Sequence, residues 1–178
     1  MRDAAFTLTP FHWPEDLPPM LTGRLVITEV ALRIEYDLNG LNQPADLPTP
    51  SPNPARRLQL WQQTCFELLW GPLQHPHYWE LNASPTGDWN LFAFNDYRDG
   101  MTEEPRITAV EISTQRHAGG LHLVCTVPVA GLLERPGPYR LAPAAIIRLA
   151  GGQRTFWATH HPGDAPDFHH PLSFTLTA

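Results

Sequence analysis

No stretch of this 178-residue chain carries apolar residues at a helical 3.6 period over three turns. Its apolar residues alternate at a period of two, in short runs bounded by proline and glycine. After Gly23, Val30, Leu32, Ile34 and Tyr36 alternate with Glu29, Ala31, Arg33 and Glu35. Successive side chains of a strand point to opposite faces, so the pattern predicts one long strand with one buried face. Over residues 64–70 the same reading sets Phe66, Leu68 and Trp70 against Cys65, Glu67 and Leu69. Over 77–82 it sets Trp79 and Leu81 against Tyr78, Glu80 and Asn82. Further strands are expected over 88–95, 107–116, 121–127, 141–149, 154–161 and 172–177. Ser84-Pro85-Thr86-Gly87, Gly119-Gly120 and Gly151-Gly152 read as hairpin turns. Residues 129–134 alone read as a helical turn. Residues 41–54 hold Pro44, Pro48, Pro50, Pro52 and Pro54. Proline can neither donate to a ladder nor continue a helix, so a long exposed loop is expected there. The fold class that follows is all-β: one domain over 1–178, an antiparallel β-sandwich of about nine strands.

Charge excludes some partners. The net charge is −6, there is no lysine, and the 12 arginines form no basic stripe. Binding to a nucleic-acid backbone is therefore not expected, and neither is a polybasic grip on anionic lipid. The first 20 residues hold no apolar signal segment, and no run is long enough to cross a membrane as a helix, so a cytoplasmic location is expected. Hydrophobic residues make up 42% of the chain, enough for a core without metal or disulfide staples. Cys65 and Cys125 both lie in apolar strand-like segments and read as buried thiols of a reducing compartment. Nothing in the sequence sets an oligomeric state.

Nine of the 18 aromatic residues fall within 61–97, interleaved with Glu67, Glu80, Asn82, Asp88 and Asn90. Strands with rings on one face and carboxylates or amides on the other can form a wall of a core and a wall of a site. If 64–70 and 77–82 pair through a turn at 71–76, Glu67 and Glu80 share a face with Asn82, and Arg33 or Glu35 could join them from the first long strand. Such a set can accept sugar hydroxyls, coordinate Ca²⁺, or act as acid and base. The same residues also suit an outward polar face whose glutamates are solvated or paired with arginine. Trp70 and Trp79 fall on core faces. Trp61 and Trp89 sit at strand or loop edges, where an indole can stack on the C–H face of a sugar or cap the end of a sandwich.

His160, His161, His169 and His170 lie within eleven residues, with Asp164 and Asp167 between them. His160, His161, Asp167 and His169 are the metal-ligand candidates, although their spacing matches no standard motif. Adjacent strand residues point apart, so His160 and His161 are not expected on one ion. Backbone hydrogen bonds within this loop account for the same residues. Phe168, between Asp167 and His169, is expected to plug one end of the sandwich. Met20 and Met101 are available as haem axial partners, but no Cys-x-x-Cys-His is present. There is no P-loop, dinucleotide fingerprint or nucleophile elbow.

The strings TCFELLWGP, HYWELNASPTGDWNLFAFNDYRDGM and TFWATHHPGDAPDFHHPLSFTL resemble the DOMON-like domains of bacteria. Those are β-sandwiches related to family-nine carbohydrate-binding modules and to haem- and sugar-binding DOMON domains. The resemblance spans roughly residues 21–177 and implies a ligand-binding fold without naming the ligand. The expected function is non-catalytic binding of a carbohydrate or related polyhydroxylated molecule. Glu67, Glu80, Asn82 and Arg33 would supply hydrogen bonds, Trp61 or Trp89 would stack, and no cofactor is required. The alternatives are a haem- or metal-binding redox domain using the 160–170 histidines, a glycoside hydrolase-like enzyme with Glu67 and Glu80 as acid and base, and a protein–protein module.

Overall fold

Antiparallel pairing runs from one end of the molecule to the other in the computed structural model, which describes residues 2–42, 44–133 and 138–178. The strands are β1 (Arg2–Pro10), β2 (Met20–Ile27), β3 (Ala31–Asn39), β4 (Cys65–Pro72), β5 (Tyr78–Ala83) and β6 (Trp89–Phe94), followed by β7 (Thr102–Glu103), β8 (Glu111–His117), β9 (Gly120–Pro128), β10 (Tyr139–Arg148), β11 (Arg154–Ala158) and β12 (Leu176–Thr177). Among the described residues the only helical pieces are two 3-10 turns, Leu60–Gln62 and Pro171–Ser173, and no helix is long and apolar enough to cross a membrane.

The sheet order is β7-β6-β5-β4-β10-β11-β1-β2-β3-β9-β8, with β12 added on β10. β1 makes the corner. Its residues from Arg2 to Leu8 pair with β2, and Thr9 and Pro10 pair with β11. The sheet thereby curls until its two halves face each other across one core. Leu21, Leu32, Ile34 and Leu123 come from one half, and Phe66, Leu68, Trp70, Leu141 and Ile147 from the other. Tyr36 spans the gap, its hydroxyl donating to the backbone carbonyl of Glu67. Each large apolar side chain buried here contributes about 1.5–3 kcal/mol, which is why the alternation is so regular.

Among the described residues there are twelve strands rather than about nine, for local reasons. The single strand expected after Gly23 is a hairpin. The backbone turns at residues 28–30, where Thr28 Oγ1 accepts the Ala31 N–H. The period-two pattern runs through this turn, so Val30, expected on the buried face, is 63% exposed. β1 was not foreseen, although Phe6 and Leu8 are buried at alternate positions. β7 and β12 are only two residues long. The turn expected at 129–134 is present where described: the Val129 carbonyl accepts from the N–H groups of Leu132 and Leu133, and Glu134 lies outside the described residues.

The proline-rich loop is only partly exposed. Ala45 bridges Leu149, the Asp46 N–H donates to the Arg148 carbonyl, and Leu41, Ala45 and Leu47 pack against the core. The hairpins at 84–87, 119–120 and 151–152 form as expected. Cys65 and Cys125 are buried free thiols.

A second apolar cluster covers the outer face of the β4–β5–β6–β10–β11 half. It comprises Leu69, Tyr78, Phe92, Phe94, Ala142, Ala144, Ile146, Ala158 and Phe168, with Trp61, Phe156 and Phe174 packed against it. The face opposite the main core is thus covered too, by the Leu60–Gln62 turn and by the segment that follows β11.

Candidate functional site

Glu67 pairs with Asn82 and Leu69 with Glu80 in the β4–β5 ladder. Alternation then puts Glu67, Glu80 and Asn82 on one face, as the sequence predicts. That face is neither solvated nor arginine-paired: Glu67 is 4%, Glu80 6% and Asn82 0% exposed. Trp61, Arg98, Met101 and the Pro166–His169 segment close over the two carboxyls. With Phe94, Ile146 and Phe156 they line a half-open cavity of about 320 Å³. A larger cleft, about 550 Å³, opens elsewhere beside His75, His77 and Tyr139, and no carboxylate lines it. Chemistry rather than size favours the smaller cavity.

Asn82 stands behind the cavity. Its Nδ2 donates to Glu80 Oε1 at 2.7 Å, and its Oδ1 accepts from the Cys65 thiol at 3.4 Å. The other Glu80 oxygen lies 3.4 Å from His169 Nε2. His169 Nδ1 is 2.8 Å from the Tyr78 hydroxyl, which accepts the Arg98 backbone N–H. Where the Tyr78 hydroxyl donates to Nδ1, the ring N–H of neutral His169 is on Nε2, facing Glu80. Asp167 fixes the lid from outside. It accepts from the Arg98 guanidinium and the Tyr97 hydroxyl, each at 2.7 Å, and from the His169 N–H at 3.1 Å. Glu67 differs from all of these: its Oε1 is buried and has no hydrogen-bond partner.

Burial governs the protonation states. It pushes the Glu67 carboxyl well up, and the neighbouring Glu80 charge adds to the effect. Burial raises Glu80 to about 7 against the opposing Asn82 amide and Arg98 charge. His169 is lowered to about 4 by burial and then by Arg98, with Asp167 opposing. Tyr78 is pushed up to about 12 by burial. The 3.4 Å approach of His169 to Glu80 is therefore a contact of a neutral imidazole, not a salt bridge, at neutral pH.

Trp61 lies on the cavity wall, its ring centroid 6.0 Å from that of Phe92. Trp89 does not reach the cavity. β6 turns Trp89 and Leu91 inward, leaving Trp89 5% exposed in the core with the Arg56 guanidinium 4.4 Å over its ring. Arg33 is also elsewhere. It projects outward from β3, in the other half of the sheet, and pairs with Glu35, while Leu32 and Ile34 take the inward positions. Phe168 is a lid over the outer face rather than a plug at the sandwich end.

The histidine cluster divides. His160 is exposed, His161 Nε2 meets the Thr9 carbonyl at 2.9 Å, and His170 Nδ1 accepts the Leu172 N–H. Among the described residues no three His, Cys, Asp or Glu side chains are grouped to hold a metal ion. Met101 shares the cavity with His169, while Met20 lies exposed on β2. As placed, Met101 and His169 do not suit a haem, because both ring nitrogens of His169 face protein partners.

Sequence reasoning missed Arg98 as a cavity residue, and Tyr78 as its hydrogen-bonding link to His169. The one local sign was the Asn-Asp-Tyr-Arg-Asp-Gly turn after β6, which holds Arg98 at φ 52° and so aims its N–H at Tyr78.

No family model matches the chain, and no curated protein matches it. Its fold is similar to that of a candidate carbohydrate-binding protein from Bacteroides uniformis, with TM-score 0.68 and 11% identity over 95% of this chain and 83% of that one. It is also similar to a family 9 carbohydrate-binding module from Caldicellulosiruptor kristjanssonii, solved in complex with cellotriose, with TM-score 0.51 and 11% identity over 90% of this chain and 74% of that one. At such identity the likeness concerns the fold, and it agrees with the expected structural relation to family-nine modules.

Proposed function

We propose that the cavity beneath Trp61 and Phe168 binds a small carbohydrate without transforming it, in a DOMON-like sandwich. The observation that carries this reading is Glu67, which lines the cavity floor and whose buried Oε1 has no hydrogen-bond partner. A buried acceptor left unmade costs about 1–3 kcal/mol, and a ligand hydroxyl removes that cost. The cavity, about 320 Å³, is at the small end of ligand sites and suits a sugar ring or two. Trp61, Phe156 and Phe168 offer apolar surface to the C–H faces of a ring, and Glu80 offers a second hydrogen-bonding group. The cellotriose bound by one fold neighbour, and the carbohydrate-binding role for which the other is a candidate, support the same reading.

Titration calorimetry with mono- and disaccharides tests it, comparing the wild type with Trp61→Ala and Glu67→Gln. Each substitution is expected to weaken binding about tenfold, roughly 1.4 kcal/mol, while the far-ultraviolet spectrum stays β-type. Absence of binding across the panel, or binding that neither substitution changes, would place the function elsewhere.

A further inference from the structure

Two carboxyl groups lie on the floor of the cavity, and among the described residues no protein cation is hydrogen-bonded to either. The groups that face them are Arg98, His169, Tyr78, Asn82 and Cys65. Arg98 is the nearest permanent positive charge, and its guanidinium is committed to Asp167 at 2.7 Å. His169 meets Glu80 only as a neutral ring. Tyr78, Asn82 and Cys65 carry no charge to offer. The rings of Trp61, Phe94, Phe156 and Phe168 line the same cavity.

Paired acids with one unpartnered oxygen, walled by aromatic rings, match an alkylammonium. The carboxylates accept its N–H groups, and ring faces attract its charge. A neutral hydroxyl fills the vacant hydrogen bond at Glu67 but brings no counter-charge, so the acids must stay largely protonated beside it. Resting on the carbohydrate reading above, we infer that the ligand carries a protonated primary amine beside its hydroxyls: it is an amino sugar that is not acetylated, its ammonium seated on Glu67 and Glu80. The ammonium then favours ionisation of both acids, and binding releases protons to solvent.

Calorimetry at pH 6.5 separates this inference from the reading it rests on. The ligands are glucosamine and galactosamine, their N-acetylated forms, and glucose and galactose, each titrated in two buffers of different ionisation enthalpy. An amino sugar is expected to bind about tenfold tighter than its acetylated and neutral counterparts, as a charge-assisted hydrogen bond exceeds a neutral one. Its heat of binding should depend on the buffer in the sense of proton release. Glu67→Gln should reduce the preference for the amine, and Glu67→Gln together with Glu80→Gln should abolish it. Equal or tighter binding of the neutral or acetylated sugars overturns the ammonium inference and leaves the carbohydrate reading standing. Binding by none of the six overturns both. Should Glu67→Gln fail to fold, the wild-type buffer dependence decides, and amine binding without proton release overturns the inference.

Discussion

Glu80 and His169 touch, yet burial moves their titrations in opposite directions, and this sets how stability follows pH. Glu80 rises from an ordinary 4.5 to about 7 in the folded chain, so the folded state binds more protons than the unfolded state between those values. Its contribution is fully present below about pH 4.5 and is lost as pH rises through 7. Glu67 is raised and acts in the same sense. His169 falls from 6.5 to about 4, so its contribution is present above 6.5 and is lost as pH falls through 4. Thermal stability should therefore be highest in mildly acidic buffer and decline on the alkaline side. Glu80→Gln removes an acid that must ionise while buried and should raise the melting temperature at pH 8, by up to about 2–3 kcal/mol in stability. Melting curves from pH 4 to 9 check this, and a wild-type profile that stays flat from 6 to 8 would contradict it. That the two glutamates share a face was legible from alternation alone. That the face is buried was not, because its cover comes from irregular segments with no periodic signal. Arg33 shows the limit from the other side: alternation assigns a face of a strand but not which half of the sheet the strand joins.

At the scale of elements, the segment after β11 acts as a lid pinned at both edges. Phe168 seals the outer cluster, its ring 6.2 Å from that of Phe156, while Asp167 ties the segment to Tyr97 and Arg98. Truncating a buried phenylalanine to alanine costs about 3–5 kcal/mol in a closed core, and a lid residue with 8% exposure belongs at the low end of that range. Phe168→Ala should therefore destabilise the chain by about 3 kcal/mol in urea titration and increase hydrogen exchange over residues 165–173. His169→Ala should cost less, since it deletes polar contacts that water can replace. A larger loss from His169→Ala than from Phe168→Ala would mean that the Tyr78–His169–Glu80 network, rather than apolar cover, holds the lid. The sequence marked this segment through its Asp-Phe-His pattern between two prolines. It could not show that the segment folds over a sheet face instead of an open end, because no local pattern encodes the docking of a loop.

The whole molecule depends on β1, the element least visible in the sequence. Its short apolar alternation is flanked by threonines and prolines, yet it pairs with β2 along most of its length and with β11 at its end, so it joins the two halves of the sheet. If that corner couples the halves, they should unfold as one unit. Six tryptophans report on the question, because Trp157 and Trp70 lie in one half while the backbone signal comes from both. Urea transitions followed by tryptophan fluorescence and by far-ultraviolet dichroism should coincide. Gly23 gives a way to perturb the joint. It pairs with Phe6, and a Cβ there would stand 2.2 Å from the Glu35 carbonyl oxygen and 2.3 Å from the Phe6 ring. Gly23→Ala therefore forces the β1–β2–β3 ladder apart locally, at a cost of about 1–3 kcal/mol. Both probes should shift to lower urea by the same amount, although the substitution lies in the half opposite the cavity. Separated transitions in the variant, with the fluorescence of the β4–β10–β11 half unchanged, would show that the halves fold independently and that β1 is only a tether between them.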